Sequence, residues 1–108
     1  LSPKNPNYCG KYQGTNEERE NAFHQGPSWP WLLSFFAKAY LNIHKRSGLS
    51  LVKNIYIGFE EEMMEHGIGT VAEIYDGDPP HKAHGTISQA WSVAALLSID
   101  QMIENFNT

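Results

Sequence analysis

The chain is short of cysteine, of positive charge and of long apolar runs. Cys9 is the single cysteine among 108 residues, which excludes an intrachain disulfide and a zinc site built on several thiolates. A reducing compartment, the cytoplasm, is the simpler expectation for such a chain. Eight Lys and Arg stand against twelve Asp and Glu, a formal charge of −4, so no basic footprint for nucleic acid exists. No apolar run reaches the roughly 18 residues that a membrane-crossing helix needs, and no charged-then-apolar leader opens the chain. A G-x-S-x-G nucleophile elbow and a phosphate-cradling glycine loop are both absent. Residue 1 is Leu, and the expectation is a chain processed or cut from a longer one.

What is there is globular in composition, 41% hydrophobic and 19% charged, enough for one modest domain. Residues 1–20 are rich in Pro, Gly and Asn and read as loop, closing in a short helical turn through Glu17–Asn21. The turn His24–Ser28 leads into a helix expected over Trp29–His44, with Ser28 as N-cap and Pro30 in the first turn. Its polar residues Ser34, Lys38 and Asn42 recur at every fourth position and form one narrow stripe. Every other side is apolar, which predicts a helix buried on most sides. Arg46-Ser47-Gly48 ends it.

A second helix is expected from about Ser50 to Glu65. Val52, Ile55, Tyr56, Phe59 and Met63 repeat on one face, so it is amphipathic and peripheral, and Gly67 and Gly69 stop it. The third starts near Thr86–Ser88, where Thr86-Ile87-Ser88-Gln89 fits a capping box, and runs to Phe106 with a broad apolar surface. Thr70–Tyr75 is long enough to pair briefly as a strand. The expected fold is all-α, built from antiparallel helical hairpins.

The stretch from His66 to Ser92 carries the chemistry. Long loops between helices are usually functional or disordered, and this one holds His81 and His84 between the aromatic residues Tyr75 and Trp91. Glu73 stands alone in an apolar run (Thr70, Val71, Ala72, Ile74, Tyr75) before the turn Asp76-Gly77-Asp78-Pro79-Pro80. A carboxylate at such a junction, in a cleft, suits a general base; the alternative is a loop carboxylate that caps a backbone amide. Asp76, Asp78, His81 and His84 mix oxygen and nitrogen ligands, yet the EF-hand pattern fails at His81 and Ile87, where Gly and Glu are needed. No metal or cofactor is expected.

Two motifs carry a resemblance. HQGPSWPWLLSFFAKAYL followed by EIYDGDPPHKAHGTISQAWSVAALL resembles the C-terminal part of the amylo-α-1,6-glucosidase domain of glycogen debranching enzymes, and LSPKNPNYCGKYQG resembles the loop that precedes the first motif there. The resemblance implies an (α/α)6 toroid of six-hairpin glycosidase type. It implies hydrolysis of α-1,6-linked glucose at glycogen branch points with inversion, on glycogen or limit dextrin. The helices over Trp29–His44 and Ser88–Phe106 then belong to the inner ring, and Ser50–Glu65 to the outer. Glu73 matches the family's general base. His24, Gln25, Trp29, Trp31, Tyr75, Gln89 and Trp91 are the implied sugar contacts, although for Trp31 and Trp91 the residues alone favour core packing.

The family pattern more often has Thr-Val at Pro27-Ser28 and Pro-Arg at Ala83-His84. An inverting glycosidase needs two carboxyl groups about 6.5–9.5 Å apart. In the family the acid is an aspartate upstream, which this chain does not contain, so the chain alone is expected to be inactive. Bare inner-ring faces predict self-association of the fragment. The competing reading is a non-catalytic helical module that binds carbohydrate or protein.

Overall fold

The computed structural model describes residues 1–65 and 70–107. The expected helix stop at Gly67 and Gly69 lies outside these residues. The chain is mainly helical: α1 (Asn16–Ala22), α2 (Leu33–His44), α3 (Leu49–Glu65) and α4 (Ala90–Asn107), with one small hairpin of β1 (Ile74–Tyr75) and β2 (Ala83–His84). No described helix is long and apolar enough to cross a membrane.

Local chemistry explains the helix ends. Thr15 and Glu18 close a reciprocal box on α1: the Glu18 N–H donates to Thr15 Oγ1 at 3.2 Å and the Thr15 N–H donates to Glu18 Oε2 at 2.6 Å. That backbone donor holds the Glu18 carboxyl below its ordinary pKa. Before α2, Pro30–Leu32 form a 3₁₀ turn. Trp29 precedes a proline, which disfavours helical angles, and it is extended at φ −114°, ψ 104°.

Ser28 is therefore not the N-cap the sequence predicts. Its backbone pairs with Tyr75 instead, through Ser28 N–H to Tyr75 O at 2.7 Å and Tyr75 N–H to Ser28 O at 2.9 Å. The expected box at Thr86–Gln89 does not form either, because α4 starts only at Ala90 and the Thr86 N–H donates to Glu73. The Gln89 N–H goes to Val71 O at 2.9 Å.

α2 and α3 both pack on α4. The core between them holds Ala37 and Leu41 from α2, Leu49 and Val52 from α3, Leu96, Ile99 and Ile103 from α4, and Val71, Ala72 and Tyr75 from the loop. Arg46 ties the α2–α3 turn to the far end of α4 by donating to Phe106 O at 2.9 Å. α3 is peripheral, as its pattern predicts, with Tyr56, Phe59 and Met63 turned to this core.

The expectation for α2 is not met. Only Ala37 and Leu41 are buried, while Leu32, Phe35, Phe36 and Ile43 are exposed, Phe35 by 64%. α4 similarly bares Trp91, at 71%, and Leu97. The physical reason is thickness. The molecule measures 49 × 32 × 20 Å, with a radius of gyration of 14.8 Å, against about 13 Å for an ordinary domain of roughly this length. A slab that thin has too few layers to cover a helix on all sides.

Candidate functional site

The loop between α3 and α4 is held from two directions. Within the loop, β1 and β2 pair antiparallel with Ile74 opposite His84 and Tyr75 opposite Ala83. The ladder continues at both ends, through Asp76 N–H to Lys82 O and Glu73 N–H to Thr86 O, each 3.0 Å. From outside, the N-terminal segment grips the acidic turn. The Tyr12 N–H donates to Asp76 Oδ1 at 2.8 Å, the Tyr8 hydroxyl donates to Asp78 Oδ1 at 2.9 Å, and the Asp78 N–H donates to Gly10 O at 3.1 Å. A side chain at Gly77 would stand 2.6 Å from the Tyr8 hydroxyl and 3.0 Å from Gly26 C, so only glycine lets these three segments meet. The hydrogen bond to Asp78 raises the Tyr8 pKa.

Asp76 is nearly fully buried. His84 Nε2 lies 2.9 Å from its Oδ1, but off the line of a hydrogen bond, so the pair is a close polar contact rather than an aligned bond. Ring contacts continue from there, His84 to Tyr12 at 5.7 Å, Tyr12 to Phe23 at 6.1 Å and Phe23 to Trp29 at 4.5 Å between centroids. The Trp29 indole donates to Phe23 O at 3.0 Å. Asp76 and Asp78 thus fasten the loop to the N-terminal segment. Among the described residues, no three His, Cys, Asp or Glu side chains come together in a way that could hold a metal ion.

Glu73 is partly buried beside β2. Its Oε2 accepts the Thr86 N–H at 3.0 Å; among the described residues its other oxygen has no partner. The contact depends on Gly85, whose φ of +70° suits glycine. A Cβ there would overlap Glu73 Oε2 and stand 3.2 Å from its Cδ. A depression of about 230 Å³ nearby is lined by Ala72, Lys82, Ala83, His84, Gly85 and Ile87, without Glu73 itself.

The remaining sequence-predicted residues fall into three groups. Trp29 and Tyr75 line one cleft of about 380 Å³, together with Ser28, Pro30, Leu33, Gly58, Phe59, Asp76, Pro80 and His81. His24 is exposed and lies against Trp29, 5.8 Å between rings; beside it, Gln25 accepts the Cys9 N–H at 3.0 Å through its carbonyl. Trp31 and Trp91 line a shallow groove between α2 and α4, and Gln89 caps the start of α4. Sequence reasoning did not single out Gly85 or Gly58, and it read Thr86 as a helix cap, Phe59 as core and His81 as one of a loop cluster rather than as parts of this region. A glycine immediately before the expected capping box was the available signal for Gly85 and Thr86; Gly58 had none.

A family model described as amylo-alpha-1,6-glucosidase matches residues 1–98. No solved structure matches the chain.

Proposed function

Since the chain belongs to the amylo-alpha-1,6-glucosidase family, we propose that it forms the base-bearing part of a glycogen-debranching-type glucosidase, an (α/α)6 toroid in its complete form. The substrate is an α-1,6-linked glucose on an α-glucan. Water attacks the anomeric carbon and gives its proton to Glu73. The bond from that carbon to the branch oxygen breaks, the oxygen takes a proton from a second carboxyl group, and β-glucose leaves with inverted configuration. The observation that carries this reading is the Glu73 carboxylate, fixed at one oxygen by the Thr86 N–H, with the other left for water.

The second carboxyl group lies outside this chain. Glu18 is committed to its helix cap, and Asp76 and Asp78 are committed to Tyr12 and Tyr8. The chain alone is therefore inactive, and its exposed aromatic face over α2 and α4 is covered by a second copy. Assay on a branched dextrin tests the first point: no glucose is expected, and steady release sensitive to Glu73→Gln overturns it. In the complete glucosidase, Glu73→Gln lowers kcat by about 10²–10⁴-fold. Azide then restores turnover as the inverted glucosyl azide; an unaffected kcat overturns the assignment.

A further inference from the structure

The hairpin that carries Glu73 is fastened through one residue. Asp76 meets the returning arm three times: its N–H donates to Lys82 O at 3.0 Å, its carbonyl lies 3.0 Å from His81 Nδ1, and its buried Oδ1 lies 2.9 Å from His84 Nε2. The first two contacts sit where the arm begins. The third sits at the end of β2, directly before the two residues that hold the Glu73 carboxylate.

Those two residues form a bulge. The register pairs Ile74 with His84 and Tyr75 with Ala83, and carrying it back by one sets Gly85 opposite Glu73. A Cβ on Gly85 would stand 3.1 Å from Glu73 Cβ. Yet the Glu73 N–H donates to Thr86 O. Gly85, at φ +70°, and Thr86 therefore oppose one residue together, an arrangement that re-aims side chains. Here it brings the Thr86 N–H to Glu73 Oε2 at 3.0 Å. Glycine permits this geometry without compelling it, because its backbone adopts many angles. The strand has to be fixed on its near side.

His84 is placed to fix it. Alternation along the strands sets Ile74, Asp76 and His84 on one face, and Glu73 and Gly85 on the other. Asp76 and His84 are then diagonal neighbours across the ladder, a separation that longer side chains bridge. The imidazole is only 18% exposed, and its Nε2 is buried. The Tyr12 ring meets it in a T at 5.7 Å. Among the described residues Nε2 has no aligned hydrogen bond, which leaves the carboxylate 2.9 Å away as its polar neighbour. Attraction between an N–H and a carboxylate outlasts poor alignment at reduced strength. Being on the opposite face, His84 acts on Glu73 through the backbone of Gly85 and Thr86.

We propose that His84 is a positioning residue for the base: its contact with buried Asp76 fixes β2 in the register that delivers the Thr86 N–H to Glu73. The proposal rests on the reading of Glu73 as base, and it adds what keeps that carboxylate aimed.

Two variants test it. His84→Leu keeps bulk against Tyr12 and removes the nitrogen. His84→Gln restores an N–H donor at the end of a side chain of similar reach. In the 108-residue chain, His84→Leu is expected to speed exchange of the Thr86 amide by at least about tenfold, while the core amides of Leu96 and Ile99 keep their protection. His84→Gln returns the Thr86 amide toward its original rate. In the complete glucosidase, His84→Leu lowers kcat by about tenfold to a hundredfold with KM unchanged, and His84→Gln recovers most of it. Thr86 exchange that is unaltered in His84→Leu, or that rises no more than at Leu96 and Ile99, overturns the positioning role. So does faster Thr86 exchange with kcat unaltered, or a His84→Gln variant no better than His84→Leu. The base reading fails separately, on an unaffected kcat in Glu73→Gln.

Discussion

Gly85 gives up the space that the Glu73 carboxylate occupies. A methyl group at 85 would overlap Glu73 Oε2 and stand 3.1 Å from Glu73 Cβ, on a backbone whose φ is +70°. Gly85→Ala therefore meets two obstacles, the left-handed angle and the lost space. It should destabilise the chain by about 1–2 kcal/mol and reduce hydrogen-exchange protection at the Thr86 amide. Gly85→Asn tolerates the angle but not the overlap, so it should recover part of the stability and none of the protection.

Asp76 is the second point of control. Its buried Oδ1 serves the Tyr12 N–H at 2.8 Å and faces His84 Nε2 at 2.9 Å. Asp76→Ala strands the half-buried Tyr12 N–H and should cost about 1 kcal/mol. Asp76→Asn keeps an acceptor oxygen and should cost less. Thermal unfolding of the two variants checks the order; equal losses would mean that charge beside His84, rather than the Tyr12 bond, is what matters.

The Tyr8–Asp78 bond makes the grip on the turn sensitive to alkali. The phenol pKa is raised, first by its hydrogen bond to Asp78. A raised folded-state value means that the contact contributes fully below the unfolded tyrosine pKa, about 10, and fades as pH rises through the folded value. Alkaline titration should loosen residues 8–12 from the turn, seen as amide shifts at Gly10 and Asp78. Tyr8→Phe should remove that alkaline step.

Self-association through the bare face is also measurable. Phe35 and Trp91 are exposed by 64% and 71% and, with Trp31, line one groove. Sedimentation should show a concentration-dependent dimer, weakened by Phe35→Ser with Trp91→Ser. Because these side chains are largely exposed, Tm at low concentration should change little. A clean monomer at high concentration would remove the proposal.

The three long helices were legible because their apolar residues recur at helical spacing, and Tyr56, Phe59 and Met63 face the core as that spacing implies. Which faces of α2 are covered was not legible, since periodicity marks an apolar surface but not whether a partner is present. Ser28 misled because an N-cap is a local inference, and its backbone is claimed by Tyr75, far along the chain. Glu73 stood out as a lone carboxylate in an apolar run. What holds it, a left-handed glycine and the next residue's N–H, is tertiary geometry that no residue pattern encodes.

The clasp between the N-terminal segment and the acidic turn also sets an order of assembly. Tyr12 meets Asp76 across 64 residues and Tyr8 meets Asp78 across 70, so neither bond can form until the acidic turn has been made. Contacts that distant are slow to find. The hairpin carrying Glu73 can close early and meets the residue before Trp29 through the Ser28–Tyr75 pair, yet its hold by the N-terminal segment must wait for that clasp. Substitutions at Asp76 or Asp78 should therefore delay the last folding phase more than they change the helices.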